Sequence, residues 1–197
     1  MKTIIEIMHD EIILKSNDFE AQTMGTKDEY NLYREHIQYV HRYVLLLAQK
    51  KSFDTEVVEL AALLHDISMT DQSLDRSRHN VFSAENAEKL LLENNYPPEK
   101  IELVKKCILN HSKRRQAFRT TVEEEMLVTA DGLSHFDNIL SLYSLAHKVM
   151  ELDETESVKF VQRKLTSDYL EISDEFKPWI QEQYERVMAT NIPDDLL

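Results

Sequence analysis

Glycine and proline are too scarce in this sequence for most architectures that depend on tight turns. The chain has 2 glycines and 4 prolines among 197 residues, whereas average usage would give about 14 and 10. Sandwiches, barrels and glycine-rich phosphate loops need glycine wherever the backbone adopts a positive φ or approaches a ligand closely. We therefore predict an all-α fold. A chain of this length can bury about 70% of its unfolded surface, so it needs no disulfide or structural metal to stay folded.

The charge and the cysteine content restrict the environment and the partners. The chain carries 23 basic and 36 acidic side chains, a net charge of −13, which argues against a protein that coats nucleic acid. An anionic ligand would need a local positive centre, either a metal ion or an arginine cluster. A single cysteine, Cys107, excludes an intramolecular disulfide and suits a reducing compartment. No membrane-spanning run or signal peptide is recognisable, so we expect a cytoplasmic protein with no membrane partner.

Capping motifs predict about eight helices. The first is expected over about residues 2–15, and a capping box, Thr26-x-x-Glu29, is expected to begin the second. Asp54 is expected to cap a helix that ends near Asp66, and a second box, Thr121-x-x-Glu124, to begin a later one. The segment 67–80 is polar and without periodicity, and we expect it to be a surface loop.

Several ionisable side chains interrupt or end the apolar stripes of these helices. They are His36, His65, Asp66, His111 and Asp131. A buried carboxylate is costly unless it is paired or coordinated, so this set indicates a shared cation. Imidazole and carboxylate ligands together fit Mn, Fe, Co, Ni or Zn better than Ca, and Mg stays open.

The alternative is that each histidine is an ordinary hydrogen-bonded core residue. His41 illustrates it, because it shares a helix face with Ile37 and Val44 but belongs to no motif. The adjacent pair His65-Asp66 is different. Neighbouring helical side chains point about 100° apart, so both can reach one ion only near a helix end.

The order of these motifs resembles the HD-domain metal-dependent phosphohydrolase superfamily, in particular its small bacterial single-domain members. His36 is followed by Ala-Ala-Leu-Leu-His-Asp-Ile at 61–67 and by Ala-Asp-Gly-Leu at 130–133. His79 with Ser83-Ala84, and His111 with Ser112, resemble two further histidine positions of that family. The resemblance covers about residues 34–136.

The resemblance implies one HD-type helical domain over 1–197, with a motif-bearing core at about 26–151 and a C-terminal helical extension at about 152–197. It implies that His36, His65, Asp66 and Asp131 bind one metal ion tightly, which activates water for attack on phosphorus. His79 and His111 are expected to bind a second ion or the substrate phosphate.

Departures from the family pattern narrow the expected substrate. Ser68 and Met69 follow the His-Asp-Ile motif where many members have glycine and lysine, which places the chain outside the cyclic-dinucleotide phosphodiesterases. Met69 also stands where the nucleoside-monophosphate phosphatases carry an acid. The resemblance is closer to members that act on nucleoside triphosphates or related nucleotides, so we expect a small phosphorylated substrate of this kind.

Two basic segments flank the candidate histidines. Lys113, Arg114 and Arg115 follow His111, and Arg76 and Arg78 precede His79. The planar guanidinium group of arginine can donate two parallel hydrogen bonds to phosphate oxygens. These basic residues are therefore expected to contact the substrate phosphate. The alternative is that they complement helix dipoles and stay solvated.

Two other functions fit the same residues. Some HD-fold proteins use a His/His-Asp/His/His/Asp set to hold two irons and oxidise their substrates with oxygen, and the order here permits this. A non-catalytic sensor that binds a nucleotide or a partner is the third hypothesis, although all four core ligands are present. The sequence leaves open the substrate, the metal and whether the protein is a homodimer, because long-range packing decides the shape of the pocket.

Overall fold

The computed structural model describes residues 2–112 and 117–189, and within these ranges it contains α-helices and no strand. The all-α prediction is therefore confirmed. The α-helices, numbered in chain order, are α1 (Ile4–Thr23), α2 (Gln38–Ala48), α3 (Thr55–Leu64), α4 (His79–Glu93), α5 (Pro98–Asn110), α6 (Val122–Asp137), α7 (Ile139–Ser144), α8 (Glu154–Glu171) and α9 (Gln181–Met188). A π-helical turn, Tyr33–Ile37, leads directly into α2, and a second, Leu145–Val149, follows α7. Short 3-10 turns lie at Ile67–Thr70, Arg76–Arg78 and Lys177–Trp179.

Two of the predicted helix starts are capped as expected. The Thr121 hydroxyl accepts a hydrogen bond from the Glu124 backbone N–H at 3.3 Å, and the Glu124 carboxylate accepts one from the Thr121 N–H at 2.9 Å. The Asp54 carboxylate accepts from the N–H of Val57 at 3.3 Å. These bonds satisfy backbone donors that the first turn of a helix leaves unpaired.

The Thr26 capping box was wrongly predicted to begin a helix. The Thr26 hydroxyl instead donates to the carbonyl of Thr23 at 2.6 Å, and the Glu29 carboxylate accepts from the N–H of Gly25 at 2.8 Å. Gly25 has φ of +75°, so the chain turns here and both polar side chains stabilise the turn. Helical structure resumes only after Asn31, whose side-chain oxygen accepts from the N–H of Arg34 at 2.9 Å. The first helix is correspondingly longer than predicted.

The core is organised around α3. Every residue from Val57 to Leu64 is buried except Glu59, and α3 packs against α1, α2, α5 and α6. A continuous hydrophobic cluster extends from Met8 in α1 to Ile180 before α9. Because α3 is surrounded on several sides, its C-terminal end, which carries His65 and Asp66, lies inside the molecule.

The C-terminal helices close one side of this core. Helix α8 packs on α6, and a Cβ atom added at Gly132 of α6 would lie 2.9 Å from Cγ1 of Ile172. Glycine therefore allows the chain after α8 to approach α6 closely. None of the described helices combines the length and the apolarity that a bilayer crossing requires.

Candidate metal centre

Six ionisable side chains from separate parts of the chain converge at the C-terminal end of α3. They are His36 in the π-helical turn before α2, His65 and Asp66 just after α3, His79 at the start of α4, His111 just after α5, and Asp131 within α6. We call this set the His/Asp cluster. Each of its members was a candidate site residue from the sequence.

One group of ligands in the cluster surrounds His36. Its Nε2 atom lies 3.1 Å from Nε2 of His65 and 3.2 Å from Oδ1 of Asp131. Oδ2 of Asp66 is 3.6 Å from Nε2 of His65 and 3.9 Å from Nε2 of His36. Neighbouring ligands that are each about 2.1 Å from a shared ion would lie roughly 3 to 3.5 Å apart, so these separations are close to those of a coordination shell.

A second group of ligands uses the other oxygen of Asp66. Nε2 atoms of His79 and His111 lie 3.2 Å apart, at 3.6 and 3.7 Å from Oδ1 of Asp66. Asp66 therefore stands between two pairs of histidines and presents one carboxylate oxygen to each. The arrangement can hold one ion in the first group and has ligands for another in the second.

Backbone carbonyls orient three of the four imidazoles. Nδ1 of His65, His79 and His111 lies 2.9, 3.0 and 2.6 Å, respectively, from the carbonyl oxygen of the residue three positions earlier. Since a carbonyl can only accept, Nδ1 carries the proton and Nε2 keeps its lone pair directed into the cluster. A histidine that binds a metal ion through one ring nitrogen usually donates a hydrogen bond from the other, as these three do from Nδ1.

The end of α3 explains why two consecutive residues reach the same centre. His65 retains helical dihedral angles, whereas Asp66 has φ of −118° and ψ of 14° and leaves the helix. This change in backbone direction offsets the angle of about 100° between neighbouring helical side chains, so both side chains can face the same centre. The predicted helix end is confirmed.

The segment 67–80 was predicted to be a surface loop, and this is only partly correct. Ile67 and Ser68 are buried, and α4 already begins at His79. The Ser68 hydroxyl donates to the carbonyl of His79 at 3.0 Å, while the Ser68 N–H donates to the hydroxyl of Ser83 at 3.2 Å. These bonds join the segment to α4 and so position the His79 imidazole.

Two carboxylate oxygens of the cluster lack the partners that buried charges require. Oδ1 of Asp66 and Oδ1 of Asp131 are inaccessible to solvent and accept no hydrogen bond from the described residues. Leaving a buried acceptor unsatisfied costs about 1–3 kcal/mol, and more for a charged group. A cation in the first group would satisfy Oδ1 of Asp131, and one in the second group would satisfy Oδ1 of Asp66. The donor set therefore fits divalent transition metals.

The pKa values of three cluster members, Asp66, Asp131 and His111, are shifted toward the protonation states of metal ligands. Burial favours the neutral acid, but the four histidines around Asp66 outweigh it and lower its pKa to about 2. Asp131 is also buried, yet its pKa is well below the usual value because of His135, His36 and Lys164. Burial and the neighbouring His65 lower the pKa of His111 to about 4. Ionised carboxylates and a neutral imidazole are the forms that bind metal ions.

The His/Asp cluster opens onto a cavity of about 810 Å³. His36, Asp66, His79, His111 and Asp131 line it, whereas His65 lies fully buried beneath them. Part of the remaining wall is apolar and consists of Leu142, Leu145, Val149 and Phe160. The volume is within the range of small-molecule sites.

Two of the predicted phosphate-binding residues, Arg76 and Arg78, line this cavity beside His79. Both are exposed, and the Arg78 guanidinium lies over the Phe82 ring, 5.1 Å from its centre. The other three predicted residues, Lys113, Arg114 and Arg115, lie outside the described residues. His41, which no motif supported, lies apart from the cluster and has Nε2 2.9 Å from Oε1 of Glu59.

Sequence reasoning missed Asp168. It noted His135, one turn beyond Asp131, and Lys164 in the C-terminal helices as residues near the pocket, but no motif supported either. All three line the cavity, and the His135 ring stacks on His36 with centres 5.0 Å apart. A signal for Asp168 was available, because it follows Val161 and Leu165 on the buried face of α8. A carboxylate on an apolar stripe is the same pattern that singled out Asp131.

Comparison with known proteins gives one match. A family model, that of the HD domain, matches residues 33–142. The chain belongs to the HD-domain family. No curated protein and no solved structure matches the chain.

The HD-domain region includes every member of the His/Asp cluster. Membership in this family associates the chain with a superfamily of metal-dependent phosphohydrolases. The family resemblance seen in the sequence is therefore confirmed. Helix α8, which carries Lys164 and Asp168, lies beyond the matched HD-domain residues.

Proposed function

We propose that this protein is a metal-dependent phosphohydrolase that cleaves a phosphate ester or anhydride bond of a nucleotide. One observation carries the proposal: Asp66 and Asp131 present buried carboxylate oxygens, without hydrogen bonds, beside imidazole Nε2 atoms at the wall of a large cavity. Buried carboxylates beside imidazole lone pairs are costly, and a cation bound among them would remove this cost.

His36, His65, Asp66 and Asp131 would hold a divalent transition-metal ion. His79 and His111, with the second oxygen of Asp66, would hold a further ion or contact the substrate phosphate. When bound, such an ion polarises a phosphoryl oxygen and makes hydroxide available near neutral pH. The backbone carbonyls behind His65, His79 and His111 keep the imidazoles oriented for this role.

The cavity wall suits a substrate that has an anionic and an apolar part. Arg76 and Arg78 form no ion pair with the described residues, so their guanidinium groups are available to phosphate oxygens. The apolar wall formed by Leu142, Leu145, Val149 and Phe160 offers contact area for a nucleobase. These features support a nucleotide, and a reducing cytoplasm suits the single buried thiol.

A turnover assay on a panel of nucleotides with Mn²⁺ tests the proposal. Phosphate and pyrophosphate are detected separately, because pyrophosphate release from a triphosphate identifies both the reaction and the bond that breaks. Phosphate release would indicate a phosphatase or a phosphodiesterase-like reaction. Metal binding without turnover of any nucleotide would contradict the nucleotide assignment.

A second candidate function follows from the two histidine pairs that share Asp66. With six ligands for two ions, the cluster also suits a dinuclear iron oxygenase. Two tightly bound irons per chain and oxygen-dependent turnover would favour this function, whereas a single labile metal would count against it. Thermal stabilisation by nucleotides without any turnover would favour the sensor hypothesis instead.

A further inference from the structure

Helix α8 lies outside the HD-domain match and places a charged cluster of its own on the cavity wall. Lys164 and Asp168 of α8 meet His135 of α6 there. We call these three residues the α8 cluster. None of the three belongs to the His/Asp cluster, although the His135 ring stacks on His36 and its Nε2 lies 3.9 Å from Oδ1 of Asp131.

Asp168 forms the centre of the α8 cluster. Its side chain is only 3% exposed, and each of its carboxylate oxygens accepts a hydrogen bond from the Lys164 ammonium at 2.8 Å. Nδ1 of His135 lies 3.2 Å from Oδ2 of Asp168 and 3.1 Å from Nζ of Lys164. A buried carboxylate with such partners holds the lysine side chain, which otherwise samples many rotamers, at one place on the wall.

The position of Lys164 differs from that of other basic residues on α8. Its side chain is partly exposed and lines the cavity, and its ammonium contacts His135, whose Nε2 lies 3.9 Å from Oδ1 of Asp131. Lys159 is not part of the cavity wall and donates to Glu156 at 3.0 Å. An anion held against the metal centre would therefore meet the positive charge of Lys164.

We infer that Lys164, from a different element than Arg76 and Arg78, binds a phosphoryl oxygen of the substrate, and that Asp168 is the positioning residue that holds Lys164 there. The inference rests on the proposed function and adds to it a phosphate contact from outside the HD-domain region. It also assigns a role to α8: this helix completes the substrate site.

The hydrogen bonds of the α8 cluster leave room for such a contact. An ammonium group has three donors, and here two are directed to Asp168 and the third to His135. A phosphoryl oxygen, being charged, is a stronger acceptor than the imidazole and would replace it. Once released by Lys164, Nδ1 of His135 can carry the ring proton and donate it to Oδ2 of Asp168, 3.2 Å away.

Binding of pyrophosphate to the Mn²⁺-loaded protein, followed by isothermal titration calorimetry, tests the inference without requiring turnover. We expect Lys164→Met to weaken pyrophosphate binding about 10- to 100-fold, as for the loss of one hydrogen bond to a charged group. Lys159→Met removes a lysine from the same helix and should leave the affinity unchanged. The manganese content of both variants should equal that of the wild type.

Asp168→Asn tests whether Asp168 positions Lys164. The double variant Lys164→Met/Asp168→Asn removes both charges of this pair, so no buried charge is left unpaired. We expect Asp168→Asn to weaken pyrophosphate binding several-fold at unchanged manganese content. The double variant should bind pyrophosphate as weakly as Lys164→Met does. This is expected even if the melting temperature of the double variant equals that of the wild type. A purely structural role would lower the melting temperature and leave the pyrophosphate affinity unchanged.

The outcomes separate this inference from the proposed function. Unchanged pyrophosphate affinity in Lys164→Met and in the double variant, or no pyrophosphate binding by the wild type, would overturn the inference even if nucleotides are hydrolysed. Pyrophosphate binding that depends on Lys164, without turnover of any nucleotide, would support the inference and contradict the proposed hydrolysis.

Discussion

Asp66 is the residue on which the candidate centre depends most. Its two carboxylate oxygens face different pairs of histidines, and Oδ1 accepts no hydrogen bond from the described residues. His65 is also close to ligands of both groups, but it offers a single nitrogen atom. Removing the Asp66 carboxylate therefore affects both groups at once, whereas removing His36, His79 or His111 affects one.

Replacement of Asp66 by alanine should abolish metal retention and lower turnover at least about 100-fold, because the shared ligand is lost. Metal content after dialysis, measured by mass spectrometry, checks this together with the rate. Asp71→Ala is the matched control, since Asp71 is exposed and, within the part of the chain that the structure describes, its carboxylate accepts only from Ser73. Asp66→Ala protein that retains metal and activity would contradict the assignment of the centre.

His111→Ala should remove at most one metal ion per chain. The group around His36 does not use His111, so it should still bind its ion. The number of Mn²⁺ ions per chain, measured at saturating metal, checks this. His41→Ala, which alters a histidine outside the His/Asp cluster, should bind as much manganese as the wild type. Loss of all manganese in His111→Ala would show that the two groups are not separate.

Cys107 should be unreactive in the folded protein. Burial raises the pKa of its thiol, and the nearby carboxylates Glu124 and Glu123 act in the same direction, so little thiolate forms. Iodoacetamide at pH 8 should modify it only after addition of denaturant, as mass spectrometry of the intact protein would report. Rapid modification under native conditions would show that the thiol is accessible.

At the scale of elements, identical local motifs have different roles in different surroundings. Thr121-x-x-Glu124 caps α6, and its Glu124 is fully buried and also accepts from Asn110 at 2.7 Å. Thr26-x-x-Glu29 stabilises a turn at Gly25 and caps no helix. The sequence motif is the same, and the difference lies in the residues packed around it.

Thr121→Ala should therefore destabilise the protein by about 1–2 kcal/mol, the usual effect of losing an N-cap. Thr26→Ala should cost less, because the two hydrogen bonds of the Thr26 hydroxyl, to Thr23 and from Asp28, join neighbouring residues in an exposed turn. Urea unfolding followed by circular dichroism compares the two variants. Equal losses would contradict the distinction between the two motifs.

At the scale of the whole molecule, the metal centre joins helices that are distant in sequence. Its ligands come from α4, α6, the turn before α2 and the residues just after α3 and α5, so an ion bound there connects most of the core. The protein should accordingly be more stable with metal than without it, since an ion that binds only the folded state shifts the folding equilibrium.

Saturation with Mn²⁺ to about 100 times its dissociation constant should stabilise the fold by about 2.7 kcal/mol. For a chain of this size, this corresponds to a rise of about 5 to 10 °C in the melting temperature. Differential scanning calorimetry with Mn²⁺ and with a chelator measures the difference. Asp66→Ala should show no such rise, and a rise of equal size in that variant would place the ion elsewhere.

Most of the candidate centre could be predicted from sequence because its residues stand in local patterns. Asp131 follows Leu127 at helical spacing, and His65-Asp66 ends an apolar run, so both were visible as polar residues on buried stripes. The position of Asp168 was visible in the same way, but no local pattern connects it to His135. The assignment of one domain over 1–197, divided near residue 151, stays a prediction.

The sequence by itself determined the all-α class, the family and the members of the His/Asp cluster, since glycine content, helical spacing and motif order are properties of the chain alone. Only the tertiary structure decided that each oxygen of Asp66 faces a different pair of histidines and that α8 brings Lys164 and Asp168 to the same cavity. The reason is physical. Spacing along a helix specifies which side is buried, but the packing of whole helices against one another decides which buried side chains meet.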